Sequence, residues 1–263
     1  MTDGCGLPLL PGTRAGGGEL AAEPAVTVAR ARALIARYLA EPPAAVDTFV
    51  FWCLAAWMHT RFEVSPRLVL HGRDPRADHG RALRVLRWLV PAPRLIVRTT
   101  SLCVLDLLAR ERCTLLFDDA AQSILARRDM RALIAAGARR EGTFLVRRSK
   151  AGAVFRDCAA PLAIATAQPP PADVLAHAII VPMTPALIDD GRERAAIGEP
   201  PAEAPALHDA FGRLAARLAN QALDAGDLPS FLSAAARETW APLFALARAV
   251  DGVGTLPAYL VSA

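Results

Sequence analysis

The chain has 263 residues, 53% hydrophobic and 21% charged, with a formal net charge of +4. That is enough apolar content for one large domain or a core domain with a helical appendage, and it excludes a chain disordered throughout. The basic residues are almost all arginine, Lys150 being the single lysine, so the mild basicity permits an anionic partner without requiring one.

Residues 1–23 open with "MTDGCGLPLLPGTRAGGGEL", which has neither a basic n-region nor a continuous apolar stretch and so does not read as a signal peptide. Its Gly and Pro content predicts a flexible tail. Helices are expected over 25–40 and 44–60, separated by "EPP". The strongest apolar run, 49–58, is about half the ~20 residues a membrane span requires, so it predicts a buried helix and no membrane partner. Strands are then expected at 67–71, 94–98 and 113–117, alternating with helices at 80–90, 101–111 and 121–137. A hairpin, "TFLVRRS" and "AVFRDC", turns around Lys150, Ala151 and Gly152. Further apolar runs at 161–167 and 178–183 complete an α/β pattern, which predicts a mainly parallel sheet covered by helices over a core domain of 24–185. A polar, Pro-rich linker, 186–205, precedes a helical region, 206–263. One face there carries Leu207, Phe211, Leu214, Ala215 and Leu218, and another carries Trp240, Leu243, Phe244 and Ala247. The five cysteines, Cys5, Cys53, Cys103, Cys113 and Cys158, lack metal-ligand spacing and sit mostly among apolar neighbours. They are expected to be reduced, buried thiols of a cytoplasmic protein.

The stretch "RLVLHGRDPRADHGRALRVL", residues 67–86, places a loop between a buried strand and a helix, where many proteins hold a nucleotide's phosphates. Such loops carry several glycines, a lysine and a Ser or Thr. Here the loop offers Gly72, His79 and Gly80, with Arg73, Arg76 and Arg81 nearby to attract an anion. A solvated connection explains the same residues.

The strings "EVSPRLVL", "LRWLVPAP", "CTLLFDDA", "MRALIAAGARREGTFLVRR", "APLAIA" and "ETWAPLFALARAVDG", in this order, resemble a poorly characterised P-loop ATPase-like family. It occurs in primase- and helicase-type proteins of plasmids, phages and actinobacterial chromosomes and is related to RecA-like and AAA-type motors. The resemblance spans about residues 44–250 and implies a P-loop NTPase-like three-layer sandwich with a leading helical pair and C-terminal helices. In register with the family, Pro75 falls on its proline, Asp78 on a glycine, His79 on the lysine and Gly80 on the threonine. Asp78 would repel a polyphosphate, His79 is short and largely neutral near pH 7, and Gly80 has no hydroxyl for magnesium. Asp118 matches the aspartate that holds magnesium through water. Asp119 stands where the family has glutamate, one methylene longer; capping of the next helix is a simple alternative, but retained ancestral geometry is the expectation preferred over capping alone. His177 falls on the late arginine that reads the terminal phosphate, while Thr166 and Gln168 are the remaining polar candidates for sensing a nucleotide.

These departures imply a degenerate site, with ATP and magnesium as cofactors only in the alternative of an active but divergent ATPase or helicase component. The expected role is a scaffold or accessory subunit that joins a second copy or a paralogous ATPase. Phe51, Trp52, Trp57, Trp240 and Phe244 offer apolar surface for such a joint or for the chain's own core. In related ring helicases a hairpin near this point follows DNA phosphates, which makes Arg139, Arg140, Arg147, Arg148 and Lys150 candidates for sequence-blind DNA contact. A solvated hairpin explains the same arginines.

Overall fold

The structure, a computed structural model, describes residues 17–72, 74, 77, 79–119, 123–148, 152–185 and 200–251, the side chains of residues 17–22, 79, 147, 148 and 251 excepted. The elements run α1 (Gly17–Tyr38), α2 (Pro43–Trp57), β1 (Arg67–His71), α3 (His79–Arg87), β2 (Pro93–Ile96), α4 (Ser101–Leu108), β3 (Thr114–Asp118), α5 (Arg128–Ala136), β4 (Thr143–Arg148), β5 (Gly152–Asp157), β6 (Leu162–Thr166), α6 (Ala172–Leu175), β7 (Ala178–Pro182), α7 (Ala204–Leu218) and α8 (Ala234–Asp251).

Five strands form one parallel sheet in the order β2-β3-β6-β1-β7. The inner strands read as unbroken apolar runs because both faces of the sheet are covered. Alternate residues serve alternate faces. Leu68, Leu70, Leu116, Ala163, Ala165, Ile179 and Val181 pack with α1, α2, α3, α7 and α8. On the other face Val69, Leu115, Phe117, Leu162 and Ile164 pack with α4, α5 and Val174 of α6. The helices therefore lie in layers on both sides of the sheet. Indole hydrogen bonds lock α2 in place: Trp52 donates to the Pro66 carbonyl (2.8 Å) and Trp57 to that of Leu89 (2.8 Å).

Several elements differ from the sequence reading. Helix α1 begins at Gly17, inside the stretch read as a tail, and continues through Pro24. Residues 1–16 lie outside the described residues. The helix expected over 121–137 is shorter: residues 123–126 form a turn and α5 starts at Arg128. Among the described residues the hairpin strands pair only with each other. Gly152, at the turn, has φ +83°, a region open to glycine without strain. Cys53, Cys113 and Cys158 are buried and free, but Cys103 is exposed because it lies beside Leu102 on the outward side of α4. Cys5 lies outside the described residues, as do residues 186–199 of the linker expected over 186–205, and α7 begins at Ala204, inside that expected linker. Among the described residues no helix is long and apolar enough to cross a membrane.

Phe51, Trp52, Trp240 and Phe244 are buried within the chain itself, and Trp57 packs against the same core. These aromatics complete the monomer's own interior, so the apolar surface invoked for a partner is not presented outward.

Candidate functional site

In an open parallel sheet, ligands sit at the carboxyl ends of strands whose following connections leave in opposite directions. Here the chain leaves β1 through α3 toward β2, and leaves β6 through α6 toward β7. The switch therefore falls between the neighbouring strands β1 and β6. In register, His71 faces Thr166 and Asp118 faces Ala165, so the carboxyl ends of β1, β6 and β3 meet on one edge. The loop after β1 leads from this edge into α3, whose first turn, at His79 and Gly80, adds a positive dipole end. The structure thus brings together the start of α3, Asp118, Asp119 and Thr166. Asp78 lies outside the described residues, as do Arg73, Pro75 and Arg76, and nothing is described of the His79 side chain.

The hydrogen bonds at this edge are directed inward. Gly72 donates its amide to the Thr166 carbonyl (3.4 Å), and His71 Nδ1 lies 3.3 Å from the same oxygen. The buried Thr166 hydroxyl is engaged in its own turn, donating to the Gln168 carbonyl (3.1 Å) and accepting from the Gln168 amide (3.3 Å). Asp119 is fully buried, at 0% exposure. Its amide donates to Ala165 (2.9 Å), while Oδ1 accepts from the Ile124 amide (2.7 Å) and Oδ2 from the Leu125 amide (2.9 Å). Both carboxylate oxygens thus staple the turn before α5, the local role that competed with a place in a nucleotide site.

Magnesium and ATP, implied by the family resemblance, meet a poor donor set. Asp118, half-buried at the end of β3, is the remaining carboxylate for a metal; Gly80 supplies no hydroxyl and the loop no lysine. Among the described residues no group of three or more His, Cys, Asp or Glu is arranged to hold a metal ion.

His177 lies elsewhere. It immediately precedes β7, and its carbonyl accepts from the Arg67 amide (2.8 Å) at the start of β1. The length of β1 separates it from the carboxyl edge, four steps of about 3.3 Å, or roughly 13 Å. Its Nδ1 is buried without a partner, and burial, aided by Arg139, pushes its pKa below the ordinary 6.5. Its place just before the strand expected at 178–183 of a parallel sheet already puts it at the amino edge, which the family register alone does not weigh.

This amino edge holds charge that the sequence reading missed. Arg67, 1% exposed, donates through Nε to the Ile134 carbonyl (2.9 Å) and through Nη1 to that of Ala160, joining the end of α5 to the approach to β6. Burial lowers its pKa to about 9, which leaves it charged at neutral pH. Gly137 makes room: a Cβ there would sit 2.3 Å from the Cys158 carbonyl oxygen and 2.8 Å from Arg67 Nη2. The available signal was a charged residue at the head of the apolar run "RLVLH".

The basic hairpin starts from the same edge, where the Cys158 amide donates to the Gly142 carbonyl (2.9 Å). Its proximal arginines are already engaged. Arg139 forms a two-pronged pair with Glu238 of α8 (2.8 and 3.1 Å), and Arg140 pairs with Glu63 (3.2 Å). Phe144 and Val146 pack inward, whereas the cross-strand pair Leu145 and Phe155 is 55% and 71% exposed. Nothing is described of the Arg147 and Arg148 side chains, and Lys150 lies outside the described residues. No protein-family model and no curated protein matches this chain.

Proposed function

We propose that this chain is a P-loop ATPase-like scaffold or accessory subunit in which the nucleotide site has degenerated. The observation that carries the reading is the carboxyl edge of β1, β3 and β6. It has the layout of a nucleotide site, a loop running into a helix start beside an acidic strand end, yet Asp119 spends both oxygens on the Ile124 and Leu125 amides. His79 and Gly80 in place of a lysine and a hydroxyl act in the same direction. The parallel order β2-β3-β6-β1-β7, with helices on both faces, supports a three-layer P-loop-type scaffold. Calorimetric titration of the protein with ATP and magnesium tests the reading: binding is expected to be weak or absent. Submillimolar binding that requires magnesium and disappears in Asp118→Asn would favour the active, divergent ATPase instead.

As an accessory of a replication or mobile element, the chain would touch DNA through the hairpin tip. Arg147, Arg148 and Lys150 would contribute there, because Arg139 and Arg140 are held by Glu238 and Glu63. A second copy or a paralogous ATPase remains the proposed protein partner, tested by light scattering with and without ATP. A strict monomer that captures no such ATPase would defeat that part of the proposal.

A further inference from the structure

The amino edge of the sheet encloses a pocket of about 130 Å³, at the opposite end of the strands from the proposed nucleotide edge. It is well below the 300–1,000 Å³ of drug-sized sites, which restricts an occupant to a few heavy atoms. Its wall gathers polar groups of complementary kinds. Ser65 is 8% exposed and lines the cavity; its amide is bonded to the Ala138 carbonyl (2.7 Å), and its hydroxyl makes no hydrogen bond to any described residue. Thr60 adds a second hydroxyl from the turn after α2.

The charged groups of the pocket divide into engaged and available ones. Arg139 and Arg140 are held by Glu238 and Glu63, and Glu111 takes both prongs of Arg94 (2.6 and 2.5 Å). Arg112 lines the same pocket, is exposed, and makes no ion pair with any described residue. On the acceptor side, Asp157 accepts from the Ala159 amide (3.0 Å) and from no other described residue. His59 Nδ1 lies 3.3 Å from the Ala56 carbonyl, which can only accept, so Nδ1 carries the proton and Nε2 is an acceptor in the neutral ring. Burial favours that neutral ring. One available cation and two hydroxyls therefore sit with two acceptors in a cavity too small for a nucleotide.

We propose that this pocket binds a small carboxylate that also carries a hydrogen-bond donor, of the amino-acid or hydroxy-acid class. Arg112 with the Ser65 and Thr60 hydroxyls holds the carboxylate, and Asp157 and His59 accept from the amino or hydroxyl group. Asp157, the wall carboxylate not taken up by an arginine of the described residues, disfavours a dianion such as phosphate at the donor end of the occupant.

Titration of the full chain with L-serine, glycolate and inorganic phosphate, followed by amide chemical shifts, tests the proposal. Saturable binding of L-serine or glycolate with Kd of about 1 mM or tighter is expected, weakened at least tenfold in Arg112→Gln and in Ser65→Ala. Arg112 is exposed, so its variant keeps the fold. No saturable response to either acid, binding unaffected by Arg112→Gln, or binding of phosphate alone would overturn it.

Discussion

Replacing Asp119 with alanine separates a structural carboxylate from a catalytic one. The side chain is fully buried and accepts the Ile124 and Leu125 amides at 2.7 and 2.9 Å. Hydrogen bonds to an ionised acceptor contribute about 1.5–3 kcal/mol each, and an orphaned buried amide forfeits most of that. The turn at 123–126 can open partly to water, so the two losses do not add fully. The expected cost of Asp119→Ala is about 2–4 kcal/mol. In a chain of this size each kcal/mol moves Tm by about 2–4 °C, so the midpoint should fall by about 5–15 °C. Asp119→Asn keeps one acceptor and turns an NH2 toward the other amide, with an expected loss of about 1–2 kcal/mol. Urea unfolding followed by circular dichroism measures both values. A carboxylate kept for chemistry is commonly neutral or stabilising to remove. An Asp119→Ala midpoint within about 0.5 kcal/mol of the parent would therefore refute the staple.

Gly137→Ala should destabilise by about 1–3 kcal/mol, since the new Cβ meets the Cys158 carbonyl oxygen at 2.3 Å; an unchanged urea midpoint would show that this approach relaxes freely. His59 is held below the ordinary 6.5, chiefly by burial, so below 6.5 the unfolded chain binds more protons than the folded one. Its contribution is fully present above 6.5 and is lost as pH falls through the folded value. His59→Gln should flatten the acid limb of a stability-against-pH curve, and an unaltered limb would remove His59 as its source. Arg147 and Arg148 are neighbours in β4, where successive positions alternate faces, so joint neutralisation of Arg147, Arg148 and Lys150 should lower the salt slope of DNA retention by about 1–2, whereas Arg139→Gln with Arg140→Gln should change it by less than about 1. The reverse ranking would move the contact to the hairpin base.

The alternation of apolar runs and amphipathic stretches made the parallel α/β architecture legible, because strands covered on both faces carry unbroken apolar sequence. "CTLLFDD" and "PLAIATA" declared themselves in this way. The interior of α1 before residue 25 was hidden by Pro24, which normally marks a helix boundary. The destination of the Asp119 oxygens depended on a turn that returns amides five and six residues later, a geometry that an acidic pair does not encode by itself. His177 immediately precedes a strand of a parallel sheet and so belongs to its amino edge, a consequence of the predicted topology that the family register alone does not carry. The amino-edge pocket was illegible for a different reason: Ser65, Arg112 and Asp157 are far apart in sequence, and only the order of the strands brings them together.

Steady-state phosphate release from ATP with magnesium, measured on the parent chain and on Asp118→Asn side by side, bears most directly on the proposal of a degenerate nucleotide site. Release no faster than the protein-free rate, and no difference between the two proteins, is the expected result. Turnover by the parent that vanishes in Asp118→Asn would contradict it.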